Sequence, residues 1–183
     1  MSCTLCGSNV AVLISNEMAI CSKCKMESIE RLIKYEDAKV HKFIEPTEVL
    51  PNLYIGPFES CVSIDELKKR NITNVIIAGK LINKYQHDGI EYLELLIDDS
   101  LEEDISYHFV IANKFINDNN TGNTLVYCYS GISRSASIII SYLMEKMMMT
   151  YDEAFAFLKE KKANIQPNSN FEEQLRKRSS NTS

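Results

Sequence analysis

The run Tyr127-Cys128-Tyr129-Ser130-Gly131-Ile132-Ser133-Arg134-Ser135 sets a cysteine before an arginine with five uncharged residues between them. A thiolate is a strong nucleophile. A free thiol has a pKa near ~8.5, and cations or helix N-termini lower it enough to give a thiolate at neutral pH. The Arg134 guanidinium can grip two oxygens of a tetrahedral anion in a planar fork. The Ser135 hydroxyl, just past it, can donate to the sulfur and ease its departure. The chemistry that fits is in-line attack by sulfur on a bound phosphate.

Such a cradle needs a strand to deliver the cysteine and a helix to receive the loop. Thr124 to Cys128 reads as that strand, because Leu125, Val126 and Tyr127 favour strands. Arg134 to Met147 reads as a helix that is apolar on most sides, hence central and buried. Gly131 sits mid-loop, where a tight turn needs freedom in φ. Successive loop amides can then point at one anion, and the helix adds its positive end.

A leaving oxygen also needs a proton, which a carboxylic acid on a mobile loop can supply. Asp98, Asp99, Glu102, Glu103 and Asp104 follow an apolar strand that ends at Ile97. Asp104 suits the N-cap of the next helix. Asp98 and Asp99 remain as candidate acids.

The rest of the chain alternates strands and helices. Val75 to Ala78, Leu93 to Ile97 and Leu125 to Cys128 are the central strand candidates. Ile105, Phe109, Ala112 and Ile116 make one apolar helical face, and Tyr151, Ala154, Phe155 and Leu158 another. Ser63-x-x-Glu66, Thr150-x-x-Glu153 and Ser169-x-x-Glu172 read as capping boxes. The pattern predicts an α/β sandwich with a mostly parallel sheet flanked by helices, its site where strand ends meet helix starts.

Cys-x5-Arg-Ser resembles the signature of the protein tyrosine phosphatase superfamily, and its surroundings resemble the dual-specificity branch. Leu53-Tyr54-Ile55-Gly56, Ile72 to Ile76, Ser141 to Met144 and Gln166-Pro167-Asn168-Ser169-Asn170-Phe171 match further segments of that branch, in order. The resemblance implies a phosphatase domain over 47–178 acting on phosphoproteins through a phosphocysteine intermediate. It implies Cys128 as nucleophile, residues 129–134 as the phosphate loop, Asp99 as general acid with Asp98 as the near alternative, and Asn168 as a brace of the loop. No metal is required for that catalysis. Relatives have His before the nucleophile, where this chain has Tyr127. Two readings follow. Either the enzyme works with a less acidic thiol or a differently ordered loop, or it is a phosphate-binding scaffold with weak or no turnover. The uncharged side chains of Tyr129, Ser130, Ile132 and Ser133 argue against inositol phospholipids and for phosphoproteins. The sequence does not decide whether Tyr129 forms part of the pocket rim or packs within the loop.

Cys3-x2-Cys6 and Cys21-x2-Cys24 stand fourteen residues apart. Two such pairs match a tetrahedral four-thiolate zinc site, and a ribbon of about this length needs metal in place of a core. The expectation is a structural zinc ribbon over 1–27, with Val10 to Ile14 and Met18 to Ile20 as a hairpin turning at Ser15-Asn16-Glu17. Disulfides are the alternative, in an oxidising compartment. A helical linker is expected over 28–46 and a disordered tail over 179–183. Cys61 reads as a small packed apolar residue.

The 183 residues suffice for one ordinary domain and a small appendage. A net charge of −5 without a basic stripe makes nucleic acid an unexpected partner, which counts against a phosphatase of nucleic-acid ends. No apolar run approaches a membrane span, and no secretory leader or lipidation motif is read at the start. The expected location is cytoplasmic, nuclear or both. A protein partner is the natural ligand of the zinc module.

Overall fold

The computed structural model of the chain describes residues 12–15, 18–21, 41–80 and 85–180. The chain divides into two compact units, Met1–Lys42 and Phe43–Ser183. In the first, β1 (Val12–Ser15) and β2 (Met18–Cys21) pair antiparallel, with Val12 opposite Cys21. Each strand runs one residue past its predicted end, to Ser15 and to Cys21. Cys3, Cys6, Cys24 and most of the expected linker helix fall outside the described residues. The linker's end, residues 41–46, carries no regular structure.

The second unit is built on five strands, β3 (Thr47–Leu50), β4 (Leu53–Pro57), β5 (Ile72–Ala78), β6 (Glu91–Leu95) and β7 (Asn123–Cys128). Their order is β3-β4-β7-β5-β6. Three pairings are parallel, but β3 and β4 are antiparallel. The sheet is therefore mixed, which corrects the expectation of a mostly parallel one. The reason is local: only Pro51 and Asn52 separate β3 from β4, and two residues can join only antiparallel neighbours.

Five helices follow from the caps and periodicities, α1 (Ile64–Lys69), α2 (Ser106–Asp118), α3 (Arg134–Lys146), α4 (Tyr151–Lys161) and α5 (Ser169–Ser180). Ser63 caps α1 by accepting from the Glu66 amide, and Thr150 with Glu153 forms a complete capping box on α4. At α5 the capping residue is Asn168 rather than Ser169, because Asn168 Oδ1 accepts from the Phe171 amide at 2.9 Å. Asp104 accepts from the Ser106 amide at 3.0 Å, just ahead of α2. Helix α5 continues through Ser180, past the start of the expected tail. No helix among the described residues is long and apolar enough to cross a membrane.

Strand alternation assigns each sheet face its own core. Ile76, Ala78, Val126 and Cys128 point to the face covered by α2, α3, α4 and α5. Val75, Ile77, Leu125 and Tyr127 point to the other, with Phe58, Cys61 and Leu67. Helix α3 is buried from Ser135 through Met144, as its all-round apolar pattern requires.

Candidate active site

Strand β7 is hydrogen-bonded on both sides, to β4 and β5, and it ends at Cys128 opposite Pro57. The nucleophile candidate thus sits at the end of a central strand, immobilised by two neighbours. Its side chain is fully buried. Sγ accepts from the Gly131 amide at 3.2 Å and lies 3.2 Å from Ser135 Oγ. Ser135 is the second residue of α3, so one loop and one helix start supply both sulfur contacts.

Outward carbonyl bonds fix the loop. Tyr129 O accepts from the Phe58 amide at 3.3 Å, Ile132 O from the Gln166 amide at 2.9 Å, and Ser133 O from the Ser137 amide at 2.9 Å. With these carbonyls held away from the centre, the loop has the form of a backbone nest, and the Gly131 amide turns inward to the sulfur. Gly131 has φ +69°, and a Cβ there would lie 2.7 Å from the Gly56 carbonyl carbon. The turn therefore requires glycine twice over, by dihedral and by space.

Strand β6 ends at Leu95, two residues before the pattern predicts, and the Ile97 amide turns back to Leu95 O at 2.9 Å. That turn directs Asp98 and Asp99 differently. Asp98 faces outward and pairs with Lys80 at 2.6 Å. Asp99 faces the loop. Its Oδ1 accepts from Ser133 Oγ at 2.7 Å and from Asn168 Nδ2 at 2.9 Å, and its Oδ2 lies 3.5 Å from Arg134 Nε. Arg134 Nε is buried and makes no hydrogen bond. The Asn168 backbone amide donates to Ser133 Oγ at 3.2 Å, and its Nδ2 also donates to Ser100 O at 3.3 Å. It braces the acid loop as well as the phosphate loop, which is more than the sequence reading assigned to it.

The structure brings together Cys128, Ser135, Arg134, Asp99, Ser133 and Asn168. It separates Tyr127 from them. One residue before the nucleophile, Tyr127 projects through the opposite sheet face into the cluster with Cys61, Phe58 and Leu67. Burial, then the neighbouring Cys61, Tyr92 and Glu94, hold its phenol far above the ordinary value. Its ring therefore packs beneath the sheet, beside the Phe58 that holds Tyr129.

Two neighbours of the site carry no mark in the sequence. Gly79 closes β5 with φ +146°, and a Cβ on it would overlap Arg134 Nη1. An isolated Gly after an apolar strand signals only a turn, so its role in making room for a guanidinium was invisible. Lys162 lies at the end of α4, half-buried; burial lowers its ammonium pKa and the Cys128 sulfur opposes that shift. In the sequence it belongs to a lysine-rich run that reads as a solvated helix end.

The family model "dual specificity phosphatase, catalytic domain" matches residues 53–181. The chain belongs to this family. Dual specificity protein phosphatase 7 of Homo sapiens is 36% identical over 134 residues, 71% of this chain and 32% of that protein. A probable rhodanese domain-containing dual specificity protein phosphatase of Dictyostelium discoideum is 36% identical over 135 residues, 72% of this chain and 28% of that protein. The chain thus spans about a third of the length of these curated relatives. Among solved structures, human tyrosine phosphatase-like serine/threonine/tyrosine-interacting protein superposes with a TM-score of 0.70 at 34% identity, covering 74% of this chain and 95% of that one. The dual-specificity phosphatase match begins at Leu53, the start of β4, and so includes every residue of the site described above.

Proposed function

We propose that this dual-specificity phosphatase domain removes phosphate from phosphotyrosine and from phosphoserine or phosphothreonine residues of proteins, through a phosphocysteine intermediate. The observation that carries the reading is the convergence of a donor-held sulfur, an arginine and one carboxylate at the end of β7. In the first step the Cys128 sulfur attacks phosphorus opposite the leaving oxygen. The S–P bond forms as the P–O bond breaks. Arg134 holds two non-bridging oxygens, and Asp99 gives its proton to the leaving side-chain oxygen. Ser133 and Asn168 both occupy Oδ1, so Oδ2 is the oxygen left to carry that proton. In the second step Asp99, now a carboxylate, takes a proton from the water that attacks phosphorus. Ser135 donates to the departing sulfur, and inorganic phosphate leaves.

The test is hydrolysis of a chromogenic aryl phosphate by the reduced full chain. Turnover is expected, with inhibition by vanadate, which adopts transition-state-like geometry in such a cradle. Cys128→Ser should abolish turnover while still binding a phosphopeptide. An inert parent chain, or turnover that survives in Cys128→Ser, overturns the reading.

For the first unit we propose a structural zinc held by Cys3, Cys6, Cys21 and Cys24, with a protein partner as the module's ligand. Its support is the donor set, two Cys-x2-Cys pairs, and the antiparallel hairpin that Cys21 closes. One equivalent of zinc should accompany the purified reduced chain and be lost in Cys24→Ser. A metal-free parent refutes the assignment.

A further inference from the structure

Within the phosphate loop only Tyr129 and Ser130 are exposed; Gly131 and Ser133 are buried, and Ile132 and Arg134 partly so. Tyr129 is 66% exposed although it directly follows a nucleophile with no exposure at all. It is nonetheless held in place. Its carbonyl accepts from the Phe58 amide, and its ring stacks on the Phe58 ring at 6.0 Å between centroids and 10° between planes. Phe58 stacks in turn on Tyr85 at 6.1 Å and 17°. A ladder of three rings thus rises from the lower core to the loop rim, and its top ring offers a bare face to solvent. An exposed aromatic normally loses freedom when it binds a ligand. Here the stack has already removed much of it.

We infer that Tyr129 is a specificity-determining residue, a fixed aromatic wall at the pocket mouth that favours phosphotyrosine over phosphothreonine. The inference rests on the phosphatase reading above and names the preferred substrate class of the same site. A phosphotyrosine carries its ring between phosphate and peptide backbone, at the level of the rim. A phosphothreonine presents only one carbon and a methyl group there. An aromatic pair contributes a factor of roughly 2 to 12 in affinity beyond simple burial. The wall needs an aryl face and no hydroxyl.

The experiment compares two peptides of one sequence, carrying phosphotyrosine or phosphothreonine at the same position. The readout is the ratio of their kcat/KM values for the full chain, Tyr129→Ser and Tyr129→Phe. The ratio should fall roughly 3- to 10-fold in Tyr129→Ser and stay within about twofold of the parent in Tyr129→Phe. An unchanged ratio in Tyr129→Ser overturns the inference, and so does an equal fall in Tyr129→Phe. The ratio of the two peptides' dissociation constants, measured in the Cys128→Ser background with and without Tyr129→Ser, reads the same preference without turnover. That arm decides the role of Tyr129 even if the parent chain hydrolyses neither peptide, an outcome that would defeat only the phosphatase reading.

Discussion

Cys128 and Cys61 lie on opposite faces of one sheet, and both are fully buried. Their surroundings differ in what points at the sulfur. Cys128 faces an amide, a hydroxyl and the start of a long helix. Cys61 lies among Phe58, Leu67 and Tyr127, and its thiol points at the Tyr85 carbonyl at 3.7 Å. Burial pushes the Cys61 thiol up to about 12, although Tyr92 donates to it and pulls the other way. Burial alone thus makes a thiol inert. Donors that converge on it make it useful.

The largest effect that would break this contrast is removal of each sulfur in turn. Cys128→Ser should lower kcat/KM on an aryl phosphate by at least about 10³-fold. Cys61→Ala should leave kcat near the parent value and lose about 1 kcal/mol of stability, measured by urea unfolding. The two thiols should also differ towards alkylation. A raised pKa keeps Cys61 protonated as pH climbs past the ordinary thiol value, so at pH 9 the native chain should resist iodoacetamide at Cys61. Labelling of Cys61 faster than Cys128, mapped by mass spectrometry, contradicts the comparison.

Next in size is the acid loop. Asp99→Asn should cost on the order of 10²- to 10⁴-fold in kcat with the basic limb of the pH–rate profile lost. Asp98→Asn loses only an exposed ion pair with Lys80 and should stay within about twofold. Equal losses would show that the Ser133–Asn168 clamp does not select the acid. Gly79→Ala should reduce kcat/KM roughly 10²-fold by displacing the Arg134 guanidinium, and its strained dihedral should lower the melting temperature as well. Smallest is Tyr127→His. Because that side chain lies below the sheet, the expected change in the pH–rate profile is slight. The variant should instead lose about 1–3 kcal/mol of stability by burying a polar ring among apolar neighbours. A shifted profile would mean that position 127 reaches the thiol after all.

The cysteine, the arginine and the glycine between them were legible because a strand, a tight turn and a helix each leave a local pattern. Asp99 was legible only through resemblance, since a run of five acids over seven residues carries no local sign of which one turns inward. The turn at Ile97 decides that, by a backbone bond to Leu95 that no side chain announces. Gly79 and Lys162 were hidden for the same reason: their roles depend on a partner 55 residues away in one case and 34 in the other. The antiparallel β3–β4 pair was missed because the alternating helix and strand pattern drew attention away from a two-residue connection. Strand alternation alone puts Tyr127 on the face opposite Cys128.

Strand β7 carries Tyr127 and Cys128 side by side, and its pairing with β4 and β5 decides which of them faces the loop. A slip of one residue would trade a nucleophile for a phenol. Both pairings join segments far apart in the chain, so neither exists until much of the domain has assembled. Catalytic competence and topology are therefore acquired in the same event. The rate of the proposed phosphate hydrolysis can serve as a stopwatch for refolding, with no partly built form contributing to the signal.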